Sequence, residues 1–411
     1  MRIRRCSLEG NAVLAVVSFV LLVSGTAFAQ KENMLYIFSG QDGAGLYAAV
    51  VFDKAGNLYG TTKVGGLYNN GAVFQLSFQA SGNWTEKTLY SFKYDGKDGD
   101  WPIGSLIFGT KGSLYGTTEV GGVYGAGTVF EVSPQDGGGW SEKILYSFSN
   151  IGPDGGYPHA GLLIDSVGNL YGTTPNGGSG GCPDYGCGTV FELIPNKTGG
   201  WSEKTLHSFT NAGGDGANPS SNLIFDAHGN LYGTTFNGGV NQYGTAFELS
   251  PTKSGQWKET ILHTFTGTGS DGGNPIPGLI FDPAANLYGT AWQGGRGRYG
   301  TVFELSPAGD GAWTVTVLQS FWNAGYGGSE PVSGLIMDSS GNLFGTTFYG
   351  SGHFGNVFQL SPSGGIWVEK VLDTVAGGLE GALIFDERGN LYGVTVSGGA
   401  YSDGSVFELE R

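Results

Sequence analysis

One pattern that returns seven times constrains this chain more than any other feature. Anchored on the Gly of each Leu-Tyr-Gly or Leu-Phe-Gly core, the copies sit at Gly60, Gly116, Gly172, Gly233, Gly289, Gly345 and Gly393, spaced by 56, 56, 61, 56, 56 and 48 residues. A period of this length belongs to a supersecondary unit that cannot cover its own apolar surface and must stack on its neighbours. Each full unit holds four short apolar runs, seen best in the fourth as SNLIFD from Ser221, NLYGTT from Asn230, GTAFELS from Gly244 and WKETILHTF from Trp257. Aromatic and β-branched runs bounded by Gly, Asn, Asp and Pro make a four-stranded antiparallel sheet, with strands A to D in chain order. The Asp-x-x-Gly-Asn link between A and B is a tight turn, capped by Asp226 and opened by Gly229. Seven such sheets packed radially make an all-β, seven-bladed β-propeller.

The two ends of the repeat array are complementary. QKENMLYIF from Gln30 matches WTEKTLYSF from Trp84, so the first residues after the leader are a lone D strand. The seventh unit ends with SVFELE from Ser405 and lacks one. The N-terminal strand is therefore expected to complete the last blade and close the ring, giving one domain over residues 30–411. Residues 1–29 read as a signal peptide, with Arg2, Arg4 and Arg5 before an apolar run from Ala12 to Val23 and Ala27-Phe28-Ala29 at the cleavage site. That run is too short to span a bilayer as a helix. The expectation is a secreted protein, periplasmic or extracellular, with no membrane attachment after cleavage.

The chain has a formal charge of −15, and loss of the leader leaves 17 basic against 34 acidic residues. This excludes a nucleic-acid partner as the expected one. A monomer is expected. Gly supplies 78 of 411 residues, but they fall at turns without a triplet period, so they mark tight connections in a packed fold.

A small or short residue precedes the apolar core of every A strand: Ala49, Ser105, Gly161, Asn222, Gly278, Gly334 and Ala382. Crowding at a central axis would require this. The D strands open on Trp84, Trp140, Trp201, Trp257, Trp313 and Trp367 and close on Phe92, Phe148, Phe209, Phe265, Phe321 and Val375, which reads as blade-to-blade packing.

The assembled consensus, LIFD, D-x-x-GNLYGTT, a Gly pair, G-TVFELSP, W-x-EK-x-L-x-SF and DG-x-x-P, resembles the Gloeo/Verruco tandem-repeat family of secreted bacterial proteins from Gln30 to Arg411. The resemblance implies export and a repeat-built propeller, and brings no catalytic residues with it. Family members that are surface proteins end in a sorting or anchoring segment, whereas this sequence ends directly after a C strand.

With the A–B and C–D turns on one side, the B–C and D–A loops share the other, and this loop face is the expected functional one. Aromatic side chains there suit stacking on sugar rings: Phe236, Trp292 and Phe348 just after the B strands, and Tyr185, Tyr243 and Tyr299 among the B–C loop tyrosines. The D–A loops carry Asp98, Asp154, Asp215 and Asp271 before Gly. These aspartates read first as turn formers and second as Ca²⁺ ligands, with no other metal and no cofactor expected. Cys182 and Cys187, in the longer third B–C loop, are expected to form a local disulfide.

Catalytic constellations are sparse. His207 and His263 share one D-strand position, and His159 and His353 fall on the loop face. No metal motif, nucleophile elbow or phosphate loop is present. The function expected is a secreted module that binds extracellular carbohydrate or a surface protein. A carbohydrate-active enzyme, a lyase or hydrolase using His159 or His353 with a tyrosine, and a structural envelope protein are the alternatives.

Overall fold

The computed structural model describes residues 31–183, 185–322, 328–350 and 354–411; the expected leader and His353 lie outside these. Seven four-stranded antiparallel sheets are present. Blade 4 shows the plan: Ile224–Phe225, Leu231–Thr235, Thr245–Pro251 and Trp257–Thr264 are its strands A to D. The A strands are shorter than the apolar runs foretold, with two paired residues in every blade (Ile224↔Tyr232, Phe225↔Leu231). The residues before each pair turn instead toward the axis and the neighbouring blade.

Ring closure is as expected. Lys31–Ile37 pairs with Ser405–Glu410 in the register Lys31↔Glu410 to Ile37↔Ser405, and completes the sheet of Ile384–Phe385 and Leu391–Thr395. Phe38, fully buried, packs edge-on against Phe74 of the first blade.

Each letter of the recurring Leu-Tyr-Gly-Thr-Thr has a physical task. In blade 4, Leu231 is fully buried and Tyr232 turns its ring edge-on to Phe281 of the next blade. Gly233 lies over Phe247, whose ring tip would be 2.7 Å from an added Cβ, so no larger residue fits. Thr234 donates its hydroxyl to the Pro277 carbonyl of the next blade at 3.2 Å, while Thr235 pairs with Thr245 of strand C at 2.9 Å. The equivalents of Thr234 make the same bond to the next blade, as in Thr117 to Ala160 and Thr173 to Ser221. Blade 7 has Val394 there, packed into an apolar cluster with Leu46 and Phe38.

The cores lie between blades. Each apolar cluster joins two neighbours, for example Phe209 and Leu206 of blade 3 with Phe247 and Leu249 of blade 4. D-strand phenylalanines meet C-strand phenylalanines of the following blade edge-on, at 5.1 Å for Phe92 and Phe130 and 5.2 Å for Phe209 and Phe247. The D-strand tryptophans extend this packing outward, Trp201 approaching Tyr115. The seven small residues foretold for the axis line a narrow axial cavity of about 130 Å³, together with Tyr47, His159 and Glu380.

Candidate functional site

The loop face is built from two sets of connections that hold one another. Two-residue ribbons join D–A loops to B–C loops, Gly155–Gly156 with Asn176–Gly177 and Gly216–Ala217 with Asn237–Gly238. The residue before the loop proline then adopts a left-handed backbone: Trp101 (φ 59°), Tyr157 (59°), Asn218 (56°), Asn274 (55°) and Glu330 (58°). Asn tolerates this region, whereas bulky residues do so at a cost of about 1–3 kcal/mol. A backbone clamp holds them there. Asn274 donates its N–H to the Tyr243 carbonyl of the preceding blade at 2.7 Å and accepts from the Trp292 N–H at 3.2 Å; Glu330 does the same between Tyr299 and Phe348. The side chains so presented form a ring around the axis.

One half of that ring is charged. Lys63 lies 3.3 Å from Glu119, whose other oxygen is 3.5 Å from His159. The Lys63 ammonium also covers the rings of Trp101, at 4.6 Å, and Tyr47, at 5.2 Å. Burial opposes ionisation of Glu119, but hydrogen bonding and charge from His159 and Lys63 outweigh it and hold the carboxyl below its usual range. Burial pushes the Glu380 carboxyl up despite Lys63, and raises the Tyr47 hydroxyl together with the charges of Glu380 and Glu119. Lys63 and Glu119 occupy the repeat position of Phe236, Trp292 and Phe348 and are missed when only the aromatic residues there are followed, whereas Tyr47 and Glu380 lie in D–A loops with no repeat signature of their own.

The other half is aromatic and amide-rich. The rings of Phe236 and Trp292, both half-buried, lie 6.0 Å apart and are tilted by 32°. Trp292 is fixed by its indole N–H, which donates to Glu330 at 3.1 Å. Alongside runs a chain of amides: Asn237 donates to Asn218 at 3.1 Å, Asn274 donates to the Phe236 carbonyl at 2.8 Å, and Gln293 donates to Asn274. Phe348 stands further round, edge-on to Tyr349, and the two line a depression of about 340 Å³ with Phe354 and Gly378.

The loop tyrosines are not one ring. Tyr243 and Tyr299 occupy the clamp position itself, and their carbonyls hold Asn274 and Glu330. Tyr185 sits two residues ahead of the clamp residue Cys187 and is more exposed, at 63% against 37% for Tyr243. The Tyr243 ring also lies against Gly267 and Gly273 of the adjoining loop, so it anchors as well as presents. Cys182 and Cys187 form the expected disulfide, and the Cys187 carbonyl accepts from Asn218.

Each Asp-Gly carboxylate has partners in its own loop or D strand, while Oδ1 of Asp154 and Oδ1 of Asp215 are buried without one. Asp98 accepts from the Tyr90 hydroxyl and the Lys93 and Gly99 N–H groups; Asp154 and Asp215 each accept an N–H and a hydroxyl, from Ser149 and Thr210. Asp271 accepts from Thr266 and lies 3.0 Å from His263. This is the turn-forming role.

A cavity of about 580 Å³ lies on the turn face between blades 7 and 1 and is lined by Phe52, Lys54, Phe78, Trp84, Arg388 and Tyr392. Its aromatic walls repeat the packing found between other blades, so the loop face, where residues depart from the repeat, is the stronger candidate.

Solved structures share the fold at low identity. The extracellular domain of a one-component system from B. thetaiotaomicron is 11% identical with a TM-score of 0.56, and the match covers 93% of this chain. The chain spans only 40% of that protein's length. A polysaccharide lyase of family PL25, an ulvan lyase, is 11% identical with a TM-score of 0.55, covering 92% of this chain and 95% of the lyase. A puromycin hydrolase is 12% identical with a TM-score of 0.51, covering 85% of this chain and 50% of its own. No curated protein matches the sequence. The repeat itself is decisive: the Gloeobacter/Verrucomicrobia repeat matches residues 19–224, 136–282 and 221–411, and the chain belongs to that family.

Proposed function

We propose that the loop face binds an extracellular glycan, with Phe236 and Trp292 as the stacking platform and Phe348 as an outlying contact. The observation that carries this reading is the pair of half-buried rings, tilted by 32° to one another and flanked by Asn218, Asn237, Asn274 and Gln293. Flat apolar faces beside side-chain amides match the two chemistries of a sugar, its C–H face and its hydroxyls. Tyr185, Tyr243 and Tyr299 would border this platform. Export to an oxidising compartment fits the disulfide.

The charge around the axis narrows the ligand to neutral polysaccharide. Asp100 and Glu380 act on Lys63, and Glu119 engages both Lys63 and His159. A lyase must confront a uronate carboxylate with free positive charge, so this arrangement favours binding over cleavage.

The test is a panel of neutral glucans and xylans against ulvan and alginate, by titration calorimetry on the leader-free protein. Neutral glycan should bind, and Trp292→Ala and Phe236→Ala should each weaken it by about 5- to 30-fold, equivalent to about 1–2 kcal/mol. Binding and shortening of an anionic glycan would replace this reading with the enzymatic one.

A further inference from the structure

Where a D–A loop carries the Asp-Gly pair, at Asp42, Asp98, Asp154, Asp215 and Asp271, its aspartate lies beside a D-strand residue of its own blade and faces the matching D-strand position of the next. At the seam of blades 1 and 2 of the repeat, the set is Tyr90, Asp98 and Glu142; the Tyr90 hydroxyl bonds Asp98 at 2.7 Å, and Glu142 Oε1 has no partner. At the seam of blades 4 and 5 the set is His263, Asp271 and Val315, and the imidazole lies 3.0 Å from the carboxylate. At the seam of blades 3 and 4 the set is His207, Asp215 and Glu259, which among the described residues is the group that joins an imidazole to two carboxylates.

Here the groups stand apart. His207 Nε2 is 3.7 Å from Asp215 Oδ1 and 3.6 Å from Glu259 Oε2. His207 Nε2, Asp215 Oδ1 and Glu259 Oε1 are buried atoms without a hydrogen-bond partner. Buried polar atoms left in that state carry a penalty and call for an explanation. The seam with Val315 shows that the same histidine and aspartate close to hydrogen-bonding distance when no second carboxylate is present.

We propose that His207, Asp215 and Glu259 form a divalent metal site of the kind that zinc fills, tying blade 3 to blade 4. The three ligand atoms lie within 4.8 Å of one another. Zinc bonds of 2.0–2.2 Å in tetrahedral geometry place ligand atoms about 3.4 Å apart, close to the spacing found. The surrounding contacts hold two of the three groups in place. Asp215 Oδ2 accepts from the Thr210 N–H and hydroxyl, both at 2.7 Å, which aims Oδ1 inward, and the His207 ring stands edge-on to Phe209. With imidazole neutral, the cluster carries two negative charges that a dication would balance. An imidazole with two carboxylates selects zinc over calcium, which prefers oxygen ligands alone.

The experiment uses leader-free protein carrying no polyhistidine tag, freed of metal with chelator and titrated calorimetrically with zinc chloride and, separately, calcium chloride. Zinc should bind saturably at one ion per chain and raise Tm, with calcium weaker. Glu259→Val, which copies the Val315 seam, and His207→Gln should each reduce zinc affinity at least about tenfold, while His263→Gln should leave it unchanged. Circular dichroism and zinc-free melting confirm that the variants fold. Absence of saturable zinc binding, equal affinity in Glu259→Val, or tighter calcium than zinc would each overturn the proposal and leave an imidazolium–carboxylate cluster.

Discussion

The two faces of the ring obey different rules. On the turn face the same bonds are repeated almost without change: Oδ1 of Asp53, Asp165, Asp226, Asp282, Asp338 and Asp386 accepts the N–H groups two and four residues on, all at 2.8–3.0 Å. The exception is blade 2, where Gly109 replaces the aspartate, the Tyr115 ring occupies the place of its side chain, and the turn tightens into a 3₁₀ turn over Thr110–Gly112. On the loop face the backbone repeats but the side chains do not. Trp101, Tyr157, Asn218, Asn274 and Glu330 share a left-handed backbone before proline and present four different side chains. Recurrence marks what holds the fold, and departure from it marks where a ligand could be distinguished.

The sharpest way to break this contrast is to remove a repeated element. Deleting residues 31–38 exposes the edge of Ser405–Glu410 and takes away Leu35 and Phe38, so stability should fall by several kcal/mol at about 1.5–3 kcal/mol per large apolar side chain. An unchanged urea midpoint would show that the ring does not depend on its closing strand.

The next effect reads the seams through pH. Burial raises Glu86, Glu203 and Glu369 to about 7, and burial with Asp98 and Asp95 raises Glu142 to about 8. Their ordinary value is 4.5. Because the folded state favours the protonated form, this contribution is complete below about 4.5 and is lost as pH rises through 7 to 8. Tm should therefore be higher at pH 5 than at pH 8.5, with the difference reduced in Glu142→Gln. A flat profile over that window would show that these carboxyls are more hydrated than their positions imply.

Two tryptophans separate the faces more finely. Trp201→Ala should cost about 2–3 kcal/mol of stability through lost seam packing, with glycan affinity per folded molecule unchanged. Trp292→Ala should do the reverse, staying within about 1 kcal/mol of the parent while binding weakens. Equal losses in both assays for both variants would erase the distinction. The smallest effect belongs to Cys182 and Cys187, a short loop whose closure stabilises by at most about 2 kcal/mol. Denatured, unreduced protein should take up no alkylating reagent at these thiols.

How far the sequence could be read depended on what lay in register along it. The seven cores, the turn aspartates, the closing strand and the axial small residues all recur at fixed spacing, and strand pairing acts at that same spacing. The Cys182–Cys187 pair was local and equally plain. By contrast, His207 and Glu259 stand on different D strands, and their meeting depends on the side-by-side placement of two blades. Lys63, Glu119 and Tyr47 converge from three loops for the same reason. The tyrosines misled in a smaller way: a shift of two residues within similar loops put Tyr243 and Tyr299 in a different place from Tyr185. Two-residue A strands were also hidden, since their flanking residues are apolar for the sake of the axis.

The backbone clamp on the loop face has a consequence for how such a protein changes over time. Asn274 is held by its own N–H and carbonyl, between Tyr243 and Trp292, and the same main-chain atoms hold Trp101 and Glu330 in their blades. The main-chain bonds of the clamp are made whichever side chain is present, and the amides of Asn218 and Asn274 add a bond to a neighbouring carbonyl without being required for the clamp. An indole, an amide and a carboxylate already alternate around one circle without altering its course. Each blade thus offers an independently editable address, so a lineage could exchange one recognition group at a time and acquire a new ligand without passing through an unfolded intermediate sequence.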